Sequence, residues 1–335
     1  MRSLLKMILG QRGVRLIRRM ICSPGRIASP YFKYDMQRFV RHSGAFSHRE
    51  REQLRAYVIM QYHIIEKGLT MPNRHLPFGK DVVEDMMGQI SLFEKLYGAD
   101  DQIVHAIGVL KAYWDIHCQS GICMDGEKLW DDLRVFLGRH ESVAIARQPH
   151  VTKEEFYRNK ELPFPAFATS RHTLRHYSSK PVDIEKLRAA VSIAISAPSA
   201  CNRQHCRVYC VSDKEVMSQI LAIQGGSRGF GHLSDKLLIV TANLEDLSIA
   251  RERDDVFING GIFLMNLCYA LFYYEIAHCI LNWSRLPEED IAARKLVKIR
   301  DSETIIAILT CGSTPDEFDV CSSPRKSIDE LFVEL

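Results

Sequence analysis

No pair of the ten cysteines has CxxC spacing, and no Cys/His set repeats at zinc-finger distances, so the sequence announces no metal site. Low-complexity tracts and internal repeats are absent as well, which excludes a collagen-like chain. The glycine-rich stretch Gly225-Gly226-Ser227-Arg228-Gly229-Phe230-Gly231 lacks the Lys-Ser/Thr of a P-loop and leads toward a strand, which removes a nucleotide-loop reading. It is expected instead to be a mobile loop over a substrate, with Phe230 as its cover. The start of the chain lacks a secretory h-region, because Leu4-Leu5 and Met7-Ile8-Leu9 are short and arginines follow closely. Acids are nearly missing from residues 1–40, where nine Lys and Arg face only Asp35.

What remains is ordinary globular material. The chain has 335 residues, 46% of them hydrophobic and 25% charged, enough for two domains or one core with an appendage. Outside the basic start, 35 bases meet 40 acids, and this mildly acidic body gives no sign of a nucleic-acid partner. Apolar pairs at 4/5, 8/9, 16/17 and 20/21 with interleaved arginines predict an amphipathic helix over 1–21. Such a helix either docks on the protein's own body or makes peripheral contact with an anionic membrane surface. Cys268, Cys279 and Cys311 lie in apolar runs and are expected as reduced core thiols, which implies a reducing, cytoplasmic compartment.

Residues 45–145 read as mainly helical, with three- and four-residue apolar spacing over 53–66 and 81–97. The proline-bearing stretch 147–165 breaks that period. The expected organisation is therefore a basic segment 1–40, a helical extension 41–160 and a third unit 161–335. In that unit Asp183 is a plausible N-cap for a helix ended by Pro198, with Ile184, Leu187, Val191, Ala194 and Ile195 as its stripe. Runs 207–211, 237–242 and 304–310 predict strands with helices between them, a helix-flanked sheet of α+β type. Residues 256–274 carry no charge and could span a bilayer by length, yet Asn259, Gly260-Gly261 and Asn266 suit a buried core or interface helix better.

The chemistry concentrates in Ser170-Arg171-His172-Thr173-Leu174-Arg175-His176-Tyr177. If this piece is extended, Arg171, Thr173 and Arg175 share one side; if helical, Arg171 and Arg175 still share a face. Two guanidinium forks and a hydroxyl match the oxygens of a phosphate monoester. After the helix come Ala197-Pro198-Ser199-Ala200-Cys201-Asn202-Arg203-Gln204. Farther on, Gly261 precedes Asn266-Leu267 by five residues and Cys279 by eighteen, and Gly312 and Pro315 precede Ser323-Pro324-Arg325-Lys326. Taken in this order, these motifs resemble the nitroreductase family of flavoproteins, over about residues 163–335.

The resemblance implies a nitroreductase-like fold with a mixed or antiparallel sheet, and FMN as cofactor. It implies that Arg171 and Arg325, with Lys326, hold the FMN phosphate and that Thr173 adds a hydroxyl. His172 and Arg175 would lie along the ribityl chain and pyrimidine edge. Pro198, Ser199 and Asn202 would reach the ring from the other subunit of a homodimer, and the backbone of Ile280, Leu281 and Asn282 would pass flavin N5. NADH or NADPH would be the reductant of a small-molecule acceptor, with the chemistry on the flavin and no catalytic side chain. The sequence departs from the family at Glu275-Ile276-Ala277-His278, where Gly-Leu-Gly is common, so substrate access is the point at issue. A second reading, a flavin-binding interaction or regulatory module without turnover, follows from that departure and the basic helical extension. Similar extensions accompany nitroreductase-like proteins associated with surface-polysaccharide synthesis. His63 and Glu66 stand three apart in that extension, a spacing that suits a ligand or acid–base pair but more often a packing contact. A Cys206 nucleophile with His205 is poor geometry, since neighbours in a strand face opposite ways.

Overall fold

The computed structural model describes residues 23–123 and 126–335; the expected amphipathic segment 1–21 lies outside the described residues. Five helices open the described chain: α1 (Pro24–His42), α2 (Arg51–Leu69), α3 (Lys80–Tyr97), α4 (Asp101–Gln119) and α5 (Lys128–Gly138). The periodic runs expected at 53–66 and 81–97 are α2 and α3, each extended by a turn or less. Asp100 caps α4 by accepting from the backbone N–H groups of Gln102 and Ile103. The apolar stripes of α2 to α5 close on one core, in which Val58, Ile65, Ile90, Phe93, Leu110, Tyr113 and Trp130 have essentially no exposure. Helix α1 buries no residue. It is held to the body by Asp35, which accepts from Arg253 Nε at 2.5 Å and Nη2 at 2.7 Å.

The second half builds a four-stranded sheet. Its elements are β1 (His150–Thr152), α6 (Lys153–Tyr157), α7 (Phe164–Ser170), α8 (Ile184–Ala194), β2 (Cys206–Val211), α9 (Lys214–Gln224) and β3 (Lys236–Asn243). Then follow α10 (Asp255–Tyr273), β4 (Ile276–Asn282), α11 (Pro287–Val297), β5 (Glu303–Ser313), β6 (Glu317–Asp319) and α12 (Ile328–Leu331). The strand order is β2-β3-β5-β4 and every pairing is antiparallel, which settles the open choice between a mixed and an antiparallel sheet. Alternation divides β3 between two cores. Leu237 and Ile239 meet α9 and α11, while Leu238 and Val240 meet α8 and α10. A second, two-stranded sheet pairs β1 with β6.

Three expectations need correction. Cys118 and Cys123 form a disulfide across the turn after α4, so not every cysteine is reduced; among the described residues seven others are free thiols. Phe230 is 1% exposed and belongs to the sheet core, so it anchors its loop and is not a cover. Asp183 does cap α8, but Ile184 and Ile195 of the expected stripe are 46% and 60% exposed, because Leu187, Ala190 and Ala194 face the sheet instead.

Helix α10 is the charge-free segment. By length and composition alone it could cross a membrane, and half of that apolar stretch is buried inside the fold. Gly260 permits the close approach, since a β-carbon there would stand 2.7 Å from Ile306 of β5. The opposite face leaves Phe257, Ile258, Ile262 and Met265 exposed.

Candidate anion-binding site

The segment 171–175 runs alongside β4. Leu174 is buried, and its N–H donates to the His278 carbonyl at 3.1 Å. Tyr177 pins the exit by sharing a 2.8 Å hydroxyl–hydroxyl hydrogen bond with Thr310. With Leu174 turned inward, Arg171, Thr173 and Arg175 reach the opposite side, as the period-2 alternation requires. All three line a cavity of about 330 Å³, with the exposed His172 at its rim. Ser323, Pro324 and Arg325 form a second wall, and Cys321 lies at its base.

The electrostatics of this cavity are one-sided. Among the described residues, neither Arg171 nor Arg175 nor Arg325 has a carboxylate partner. Arg175 donates to Cys321 Sγ at 3.3 Å and contacts His63 Nε2 at 3.3 Å. Arg325 donates to the Ser323 carbonyl at 2.5 Å. Behind Arg175, half-buried Lys67 also lacks a partner among the described residues; burial, and then the Arg175 charge, push its ammonium below the ordinary lysine value. On the far side of Arg171, His278 is buried with Nδ1 on the Ile276 carbonyl, and burial drives it down to about 4, with Arg171 adding to the shift. Cations collected around a cavity with no carboxylate in direct contact favour an anion that joins them. A phosphate and its oxygens fit that set.

Three residues of the third wall come from the helical half: Ile59, Tyr62 and His63 of α2. Their part was not read from the sequence, where His63 and Glu66 look like a packing pair. The signal available was that positions 52, 55, 59, 62, 63 and 66 share one helical face, mixing charge with apolar bulk. That face carries the C-terminal segment along its length. Arg55 donates to Glu330 at 2.6 Å, Lys326 to Glu52 at 3.4 Å, and Arg74, just past α2, to Asp319 at 3.0 Å.

The remaining expected residues do not join this cavity within one chain. Lys326 is turned to Glu52. Pro198 and Ser199 line a separate cavity of about 210 Å³ with His205, Cys206 and Asn259, and Asn202 is exposed on the same turn with φ of 56°. On β4, Ile280 is 40% exposed, Leu281 is buried, and the exposed Asn282 accepts from Gln224 Nε2 through its carbonyl at 3.1 Å. The altered stretch 275–278 is absorbed by the fold. Glu275 pairs with Lys160 at 2.7 Å and Lys153 at 3.2 Å, and Ile276, Ala277 and His278 are buried in β4. Burial pushes the Cys206 thiol up to about 11, which removes it further as a nucleophile. Among the described residues, no three His, Cys, Asp or Glu side chains are grouped so as to hold a metal ion.

Residues 168–228 match the model of the nitroreductase family. A nitroreductase family protein from Streptococcus pneumoniae superposes with a TM-score of 0.44 at 20% identity, over 52% of this chain and 100% of that one. An FMN-dependent nitroreductase from Clostridium difficile gives 0.40 at 19% identity, over 44% and 86%. A structure from Desulfovibrio desulfuricans, described as a nitroreductase in complex with FMN, gives 0.45 at 17% identity, over 52% and 98%. No curated protein matches the chain in sequence. Residues 168–228 are thus similar to the nitroreductase family, and a helical part precedes them in the chain.

Proposed function

We propose that the chain is an FMN-dependent oxidoreductase of nitroreductase type, using NADH or NADPH as reductant for a small-molecule acceptor. The observation that carries this reading is the arginine cavity: Arg171, Arg175 and Arg325 converge without a carboxylate partner among the described residues, with the Thr173 hydroxyl between them. Bound there, FMN would supply hydride transfer at N5. Arg171 and Arg325 would bind its phosphate, Thr173 would add a hydroxyl, and Arg175 would hold a fixed positive charge for the ring, where reduction places negative charge. No side chain is asked to act as a nucleophile or general base.

The Pro198–Ser199 turn lines a cavity of its own, so in this reading it completes the site of a second copy. The exposed apolar face of α10 is the surface on which the two copies would meet, giving a homodimer with a site at each junction. The domain division proposed is a helical unit ending near residue 160 and an FMN-binding unit from 161 onward. The seven free thiols, four of them buried, suit a cytoplasmic setting.

Purified protein should be yellow, release FMN on denaturation, and lose its visible absorbance when NADH or NADPH is added without oxygen. Colourless protein that ignores added FMN would contradict the reading. Bound FMN that neither nicotinamide reduces would point to a module without turnover.

A further inference from the structure

The carboxylate of Glu66 is wholly buried at the seam between α2 and the C-terminal segment. It gathers five donors. His105 Nε2 lies 2.8 Å from Oε1 and His63 Nδ1 3.3 Å from Oε2. Ser322 Oγ donates to Oε1 at 3.0 Å, Ser323 N–H to Oε1 at 3.2 Å, and Ser323 Oγ to Oε2 at 3.1 Å. Burial alone would raise the carboxyl, yet the hydrogen bonds from His105, His63 and Ser322 bring it down from the ordinary 4.5 to about 2.

These contacts run in two directions, and each ends on a cation of the cavity. With its proton on Nδ1, facing Glu66, His63 presents a lone pair at Nε2, where Arg175 Nη2 sits at 3.3 Å. Ser323, held in a left-handed turn with φ of 38°, accepts Arg325 on its carbonyl at 2.5 Å. A serine keeps that conformation only where its surroundings over-determine it, and here Glu66 binds both its N–H and its hydroxyl. A guanidinium left free would sample many rotamers, so holding two of them in place lowers the ordering cost of binding an anion.

We propose that Glu66 is the positioning residue of the anion site, orienting Arg175 through His63 and Arg325 through the Ser322-Ser323 turn. The helical half is then part of the binding site, and a sheet domain cut away from it would bind phosphate poorly. The identity of the ligand as FMN rests on the reading above; the positioning role rests on the contacts alone.

The test uses the full chain and three variants, Glu66→Gln, Glu66→Asp and His63→Gln, with fluorescence titration of FMN and of riboflavin. Glu66→Gln keeps the volume but cannot satisfy five donors, and FMN affinity should fall roughly tenfold or more. Riboflavin, which lacks the phosphate, loses only the Arg175 share and should fall by several-fold at most, clearly less than FMN. Glu66→Asp should recover part of the loss. His63→Gln alters a partly exposed residue and serves if Glu66→Gln does not fold; acting through Arg175, which faces the ring that both flavins carry, it should weaken FMN and riboflavin alike by several-fold. FMN and riboflavin falling equally in Glu66→Gln, or FMN binding all variants as it binds wild type, overturns the proposal. Wild-type protein that binds no flavin overturns the FMN reading instead. The positioning role is then read with inorganic phosphate, whose protection against thermal unfolding should be present in wild type and lost in Glu66→Gln; equal protection overturns it.

Discussion

Helix α2 and the segment 171–175 face each other across one cavity, and they contribute opposite things to it. The segment brings arginines on extended backbone, while α2 brings Ile59, Tyr62 and His63, with a buried carboxylate behind them. In the proposed reading, ligand charge is met from the sheet side and orientation is set from the helical side. The nitroreductase-family match covers the arginine segment and stops short of α2. Recognition by motif therefore finds the groups that touch an anion and passes over the groups that aim them.

The comparison is broken most severely at the core of the helical half. Trp130→Ala should destabilise the chain by about 3–5 kcal/mol, because Trp130 is 1% exposed in a closed core. If the two halves act as one site, chemical denaturation should show flavin release in step with loss of helix. Flavin kept after the helical half has unfolded would separate them.

Acid is the next lever, and its sign follows from the lowered carboxyl of Glu66. A depressed carboxyl contributes stability that is present above 4.5 and lost as pH falls toward about 2. The stability gap between wild type and Glu66→Gln should therefore narrow by about 2 kcal/mol from about pH 5 to pH 3. A gap independent of pH, measured by urea unfolding at both values, would contradict this.

On the sheet side, Arg171→Ala should cost about 1.5–3 kcal/mol of FMN binding, some ten- to hundredfold, with riboflavin nearly unaffected. An arginine that only supported the fold would weaken both ligands alike, and paired titrations distinguish the two. The smallest effect belongs to a position remote from the cavity. Asp183→Ala removes the cap of α8 and should lower stability by about 1 kcal/mol, leaving FMN affinity unchanged.

Much of the sheet half was legible in advance. The runs 207–211, 237–242 and 304–310 became β2, β3 and β5; β3 and β5, covered on both faces, leave near-continuous apolar, β-rich runs in the sequence. Arg171, Thr173, Arg175 and Arg325 were picked out and do share one cavity. The small sheet β1–β6 was not legible, since three-residue strands whose partners stand far apart in sequence leave no local period. Phe230 misled for a related reason: an aromatic among glycines looks mobile until its burial is known. The role of Glu66 was hidden because its partners come from α4 and the C-terminal segment, 39 and 256 or more residues away. No window along the chain holds them together.

The central claim is that the arginine cavity is a phosphate site for FMN. It is tested most directly by titrating wild-type protein with FMN and with riboflavin, each with and without inorganic phosphate. The account predicts that FMN binds the more tightly, and that phosphate competes with FMN but leaves riboflavin untouched. Equal affinity for the two flavins, with no effect of phosphate on either, would contradict it.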